Sequence, residues 1–170
     1  MLPLDAPEVS AAIERVQKRT DALLNCGGTH RPEWFHRKLG DILYEGCGVA
    51  RDEAGLLDAL TKVRELREEF WRDVKVVGTG NRLNQELEKA GRVADFIELG
   101  EVMILDALDR RESAGAHFRN EYATEAGEAK RNDGDWCAVS AWETRPDGTK
   151  VRHSEPLSFS LIDLQVRDYR

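Results

Sequence analysis

The stretch LEKAGRVADFIELGEVMILDAL, residues 87–108, decides the fold. Apolar residues recur along it at helical spacing, and between Val93 and Leu108 they cover more than one side of the predicted helix. Because such a helix needs neighbours on several sides, we predict that it is the central element of a bundle. Asn81 is predicted to cap its start. The charged block Asp109–Glu112, whose two arginines suit the negative end of the helix dipole, is predicted to end it.

Three further amphipathic helices are predicted upstream of this stretch. The first covers Pro7–Cys26 and ends at a pair of glycines. A short second helix begins at Arg31-Pro32, where proline suits a first helical position, and ends at Gly46. Asp52 is the predicted N-cap of a third, longer helix that ends near Val74. The charged residues of the third helix are predicted to form a solvated face: Arg64, Glu65, Arg67 and Glu68.

The sequence downstream changes from helical to strand-like patterning. Residues 136–142 (WCAVSAW) and residues 157–166 (LSFSLIDLQV) predict strands, separated by the turn signal RPDG at residues 145–148. The predicted fold class is mainly α: a helical bundle followed by a C-terminal β-hairpin. We predict a helical bundle over residues 1–111 and a docking loop with a β-rich tail over residues 112–170.

Composition narrows the classes of function. The 170-residue chain carries a formal charge of −7, which opposes the phosphate backbone, so a nucleic-acid partner is not expected. Residues 1–10 lack a basic, apolar leader, and no later window approaches the apolar length of a membrane helix. Cys26, Cys47 and Cys137 lie far apart, with no CxxC pairing, which favours a reducing compartment. A cytoplasmic location is expected.

Sequence motifs for catalysis or cofactor binding are weak. The glycine pairs at residues 46–48 and 78–80 follow no predicted strand, so turns and helix ends are favoured over phosphate binding. The histidines are scattered, with no metal-ligand spacing: His30, His36, His117 and His153. The cysteines are interpreted as structural, because no base can be placed beside them from sequence. Four aromatic residues at helical spacing are predicted to pack in the core: Trp34, Phe35, Phe70 and Trp71.

The most informative segment covers residues 110–122 (RRESAGAHFRNEY). It mixes charged groups with very small residues. Small residues permit close backbone approach, and arginine and histidine donors require fixed acceptors, so the composition favours a segment docked against another surface. A solvated connector that contacts no partner would explain the composition of this segment equally well on physical grounds. The candidate docking residues are Arg111, Glu112, Ser113, His117, Arg119 and Tyr122.

Several runs of residues carry a resemblance to a known family. The principal runs are residues 84–103 (NQELEKAGRVADFIELGEVM), 107–113 (ALDRRES) and 115–122 (GAHFRNEY). Supporting runs are residues 66–71 (LREEFW), 133–136 (DGDW), 140–143 (SAWE), 155–156 (EP) and 165–170 (QVRDYR). Together they resemble the C-terminal part of succinate dehydrogenase and fumarate reductase flavoprotein subunits, over nearly the whole chain.

This resemblance implies a three-helix-bundle-like domain, similar to a spectrin repeat, with an extra short helix. It is followed by a C-terminal β-hairpin or extended tail that wraps over the flavin-binding domain of the same subunit. It also implies a parent enzyme that interconverts succinate and fumarate with FAD, at the cytoplasmic face of the inner membrane. Its partners would be the flavin domain and the iron–sulfur subunit. The flavin-binding, substrate-binding and catalytic residues of the family lie upstream of the region resembled, so no catalytic, cofactor or metal residue is carried over. Many relatives have arginine where this chain has Ala114, which leaves salt bridges made there in doubt.

Two other functions remain open at this point. A free-standing helical adaptor could bind a protein partner through the Arg111–Tyr122 surface. A self-contained enzyme could use Glu112 and His117 as an acid–base pair, although such a pair without a predicted pocket is commonly structural.

Overall fold

The computed structural model describes residue 3, residues 5–162 and residues 164–165. The helices are α1 (Pro7–Asn25), α2 (Pro32–Gly46), α3 (Glu53–Asp73), α4 (Gln85–Asp109) and the single-turn α5 (Asp133–Trp136), with a 3-10 turn at Asn120–Tyr122. The strands are β1 (Ala50–Arg51), β2 (Phe118–Arg119), β3 (Ala138–Thr144) and β4 (Lys150–Pro156). β1 pairs with β2 in parallel, and β3 pairs with β4 antiparallel. The predicted mainly α fold with a C-terminal hairpin is confirmed; the predicted domain boundary stays a prediction.

Helix α4 is the central helix, as its apolar sides predict, because it contacts α1, α2 and α3. Its buried face is formed by Ala90, Val93, Ala94, Ile97, Ile104 and Ala107. Phe35 of α2 and Phe70 of α3 are fully buried and meet edge to face, with ring centroids 5.2 Å apart. Burying each ring contributes roughly 1.5–3 kcal/mol. Trp34 and Trp71, also predicted to lie in the core, pack against these rings but remain more than a third exposed.

The start of α4 differs from the prediction. Asn84, not Asn81, is the N-cap: its Oδ1 accepts hydrogen bonds from the backbone N–H groups of Glu86 and Leu87 at 3.1 and 3.2 Å. Its Nδ2 donates to the carbonyl oxygen of Val77 at 2.9 Å and so ties the preceding loop to the helix. Asn81 instead accepts from the Thr79 hydroxyl. Two asparagines in one loop gave the same capping signal, and the loop geometry decides between them.

The C-terminal hairpin confirms the turn at residues 145–148 but not the position of the second strand. Gly148 has φ +85° and its N–H donates to the Arg145 carbonyl at 2.9 Å. This tight turn fixes the register, with Thr144 opposite Lys150, so β4 begins directly after it. The prediction of a strand over residues 157–166 is wrong for residues 157–162 and 164–165, which lie outside any strand. Residues 163 and 166 lie outside the described part of the chain.

The charged face of α3 is not only solvated. Glu101 of α4 is 3% exposed and is held by two arginines of α3. Arg64 Nε donates to its Oε1 at 2.8 Å, and Arg67 Nη1 donates to its Oε2 at 2.5 Å. Burial raises the pKa of Glu101, but the two guanidinium groups outweigh burial and leave the pKa below its ordinary value. These contacts join α3 to α4 beside the apolar core.

The loop between α1 and α2 packs tightly against the end of α3. A Cβ at Gly28 would lie 2.0 Å from the carbonyl carbon of Asp73, so only glycine permits this approach. His30 Nδ1 and the Thr29 hydroxyl bond to the Asp73 carboxylate at 2.5 and 2.8 Å. These bonds lower the pKa of Asp73 to about 2. Among the described helices, none is long and apolar enough to cross a bilayer.

Candidate domain-docking site

The segment that follows α4 turns back and caps that helix. Arg119 is 2% exposed, and its Nη1 donates to the carbonyl oxygens of Ala107 and Leu108 at 2.8 and 3.3 Å. The guanidinium therefore satisfies the free carbonyls at the negative end of the α4 dipole. Sequence analysis assigned that task to Arg110 and Arg111, but Arg110 binds Glu112 instead.

Glu112 and Ser113 are buried inside the chain. Glu112 is 1% exposed; its Oε1 accepts from Arg110 Nε at 2.8 Å, and its Oε2 accepts from the Asn132 N–H at 2.8 Å. The Ser113 hydroxyl accepts from the Arg119 N–H at 2.8 Å and lies 3.1 Å from the Arg119 carbonyl oxygen, to which it donates. Three of the predicted docking residues therefore have their polar groups occupied within the chain, and they order the segment rather than meet a partner.

The remaining candidates lie at the surface of the segment. Arg111 is exposed, and no carboxylate of the described residues forms an ion pair with it. Tyr122 is half-buried, with the Arg119 guanidinium 5.5 Å from its ring centroid. His117 is also half-buried. Arg111 and His117 line different cavities: Arg111 lies beside Leu108 and Trp142, and His117 lies beside Arg51.

His117 is held by two arginines. Its Nε2 donates to the Arg110 carbonyl oxygen at 3.0 Å, and its Nδ1 lies 3.4 Å from Arg51 Nη1. Burial, followed by the charges of Arg51, Arg110 and Arg119, lowers the pKa of His117 below its ordinary value. The ring is therefore neutral near pH 7, with its proton on Nε2. Glu112 bonds to the side chain of Arg110, and His117 bonds to its carbonyl oxygen. Glu112 and His117 do not bond to each other, so the structure gives no support to an acid–base pair.

A cavity of about 340 Å³ opens beside His117, between the α2–β1 turn and the C-terminal part of α4. Arg51, Asp106 and Ala114 line it, and Cys47 lies at its wall. Burial raises the pKa of the Cys47 thiol, and this sulfur has no hydrogen bond to His117, so an activated thiol is not formed here. The small side chain of Ala114 leaves the cavity open.

Neither glycine pair forms a cradle for the phosphates of FAD. Gly46 ends α2, and residues 78–80 form the loop before α4. Neither pair follows a strand of a parallel sheet, which is the geometry that brings a backbone against a pyrophosphate. The residues that the structure describes do not fit FAD, and no step of flavin chemistry is assigned to them.

Comparison with known proteins identifies the domain. The family model described as the fumarate reductase flavoprotein C-terminus matches residues 36–169. The chain belongs to this family. The chain is 26% identical to the succinate dehydrogenase flavoprotein subunit of Bacillus subtilis over 160 residues. These residues cover 94% of the chain and 26% of that protein. It is 28% identical to the fumarate reductase flavoprotein subunit of Haemophilus influenzae, over 67% of the chain and 19% of that protein.

Solved structures share the fold of this flavoprotein C-terminal domain. The E. coli quinol fumarate reductase matches with a TM-score of 0.77 and 25% identity, over 92% of the chain and 26% of that protein. An adenosine-5-phosphosulfate reductase matches with a TM-score of 0.70 and 16% identity, over 92% of the chain and 26% of that protein, which shows the fold alone. The chain spans about a quarter of the length of the first curated relative and of these structures.

Arg51 is the residue of this site that sequence analysis missed. It lies 66 positions from His117 and carries no motif. The pairing of β1 with β2, which places Arg51 opposite Arg119, brings it to the docking segment. Two-residue strands leave no periodic signal in a sequence, so only the structure could find this contact.

Proposed function

We propose that this chain is the structural C-terminal domain of a flavoprotein subunit that interconverts succinate and fumarate, and that it braces the flavin-binding domain of that subunit. The family match carries the proposal. FAD, bound upstream, would supply the redox chemistry and pass electrons to iron–sulfur clusters and quinone. By this proposal the chain alone is inactive, because the family's flavin and substrate residues lie outside it.

The docking segment supports a bracing role. Its internal hydrogen bonds fix the backbone before a partner binds. Less conformational entropy is therefore lost on association. Arg111 then presents a guanidinium to the outside, and such a group binds most strongly to a fixed acceptor. We therefore assign the contact to the candidates of this segment that remain accessible, which are Arg111, His117 and Tyr122. The iron–sulfur subunit is a further proposed partner, with the assembly at the cytoplasmic face of the inner membrane.

The native polypeptide tests this proposal. An antibody raised against the chain, used on an extract of the source cells, should detect a polypeptide several times larger than the 19.2 kDa chain. The immunopurified polypeptide should show flavin absorbance and succinate-dependent dye reduction. A native polypeptide of about 19.2 kDa without flavin would overturn the proposal.

A second candidate function is a free-standing helical adaptor that binds a protein partner through the same surface. The exposed Arg111 beside a preordered loop favours it equally on physical grounds. The two functions differ in two outcomes: an adaptor occurs as a short native polypeptide, and it retains its partner in the absence of any flavoprotein. Exchanging Arg111→Glu should weaken binding in both cases, whereas Arg37→Glu, an exposed arginine on α2, should not.

A further inference from the structure

From the cavity beside His117 we infer a carboxylate-binding site at Arg51, whose guanidinium His117 helps to position. The occupant is an aspartate or glutamate side chain of the protein that docks on the Arg111–Tyr122 surface. This inference rests on the proposed function for its occupant, but not for the site itself. The chemistry of the site follows from an arginine that forms no ion pair among the described residues.

Arg51 differs from its neighbouring arginines. Arg119 forms an ion pair with Glu121 and also donates to the carbonyl oxygens of Ala107 and Leu108. Arg110 forms an ion pair with Glu112 and also donates to the Trp136 carbonyl. Arg51 donates only to the Gly48 carbonyl at 2.9 Å and towards His117 at 3.4 Å. Within the described part of the chain no carboxylate forms an ion pair with it, and its Nη2 has no partner. Arg51 therefore lacks the carboxylate partner that both neighbouring arginines have, and its free edge stays open to a ligand.

The backbone fixes this guanidinium in place. β1 holds Arg51 against Arg119 of β2, and the bond from Nε to Gly48 sets the direction of the side chain. The free Nη2 edge therefore loses little rotamer freedom when it binds a ligand, which favours affinity.

The charges around the cavity favour an anion. Arg51 and Arg110 line it with His117, and Asp106 is the acidic residue at its wall. Asp106 Oδ1 already accepts from the Trp142 indole N–H at 2.8 Å, and Glu112 offsets the charge of Arg110. The charge of Arg51 is left without a close counterion among the described residues. A planar carboxylate matches the geometry of its fork better than a spherical anion does.

The position of the cavity indicates a protein as the source of the carboxylate. Ala114 and His117 belong to both the cavity wall and the docking segment, so the opening is continuous with the proposed contact surface. A side chain from the docked partner would therefore reach Arg51 without displacing any described element.

A titration with sodium acetate tests the site in the isolated chain. At constant ionic strength, with sodium chloride as the control salt, the Nε–H signal of Arg51 and the ring signals of His117 should shift along a saturating curve. Arg51→Gln should abolish the response of His117, Arg51→Lys should weaken it severalfold, and Arg37→Gln should leave it unchanged. A linear drift equal to that with chloride, or a saturating response that survives Arg51→Gln, would overturn the site.

Two further arms test the occupant. Succinate should bind within about twofold of acetate, as expected for a site that takes one carboxylate; succinate binding tenfold or more tightly would overturn a side chain as the occupant in favour of a free dicarboxylate. In the native flavin-containing polypeptide, with isotope-labelled histidine rings, acetate should no longer shift His117, because the partner's carboxylate occupies the site. A persistent shift would refute a partner side chain as the occupant and leave the proposed function intact. A native polypeptide without a flavin domain would overturn the function while leaving acetate binding intact.

Discussion

Replacing Glu112 with glutamine should destabilise the chain by about 3 kcal/mol. The carboxylate accepts from Arg110 at 2.8 Å and from the Asn132 N–H at 2.8 Å, and it is 1% exposed. An amide can keep one acceptor but turns its NH2 group towards the other donor, which leaves a buried N–H unpaired at a cost of roughly 1–3 kcal/mol. The loss of charge beside Arg110 adds roughly 1 kcal/mol, discounted because this guanidinium is partly exposed.

Urea unfolding, followed by circular dichroism, measures this loss. With a slope of about 2 kcal/mol/M, the midpoint should fall by about 1.5 M while the slope stays unchanged. Glu125→Gln is the matched control, because the Glu125 side chain is exposed and forms no hydrogen bond or ion pair with a described residue. Its midpoint should stay within about 0.25 M of the original, which is about 0.5 kcal/mol. If Glu112→Gln behaved like this control, the docking segment would not be held by the bonds described, and its preordering would have to be abandoned.

Three other predictions follow from particular contacts. Asn84→Ala should lower the free energy of unfolding by about 1 kcal/mol, whereas Asn81→Ala should change it by less than half of that, as compared by thermal melting. Gly28→Ala should lower the melting temperature by several degrees or prevent folding, because the methyl group would overlap the Asp73 backbone. The pKa of His117 is lowered in the folded state from an ordinary value of 6.5. As the pH falls, His117 is therefore protonated in the unfolded chain at a higher pH than in the folded chain. The free energy of unfolding should therefore fall as the pH drops below about 6.5, and His117→Gln should reduce this slope; an identical slope in the variant would contradict the shift.

The helices could be predicted because their signals are local. Asp52 caps α3 as predicted, with its Oδ1 accepting from the Gly55 N–H at 2.8 Å. The apolar sides of residues 87–108 predicted a central helix without any knowledge of its neighbours. Helix periodicity and caps depend on residues a few positions apart, so a single sequence contains them.

The second strand could not be predicted from periodicity. β4 reads KVRHSEP, with few apolar residues, and its place is set by the turn at residues 145–148 and by contacts with α4. Lys150 and Arg152 form ion pairs with Glu98 and Asp109. The apolar residues after position 156 gave a stronger strand signal, which moved the prediction downstream.

Residues 110–122 stood out in the sequence, but their internal organisation could not be predicted. Charged and small residues predicted a contact surface, yet Glu112, Ser113 and Arg119 turned out to be buried within the chain. Burial of a polar residue depends on partners distant in sequence, such as Asn132 for Glu112. The contact of Arg51 with His117 has the same origin. Sequence can therefore indicate where a surface lies, while structure decides which of its side chains face outwards.

We propose that the surface of residues 111–122 braces a flavin domain. Deuterium uptake of peptides from this segment, compared between the isolated chain and the native flavin-containing polypeptide, tests it most directly. Gly115, Ala116 and Asn120 are exposed in the isolated chain, so exchange there should be fast. We expect peptides over residues 114–122 to exchange at least tenfold more slowly in the flavin-containing polypeptide. Equal exchange in the two forms would contradict it.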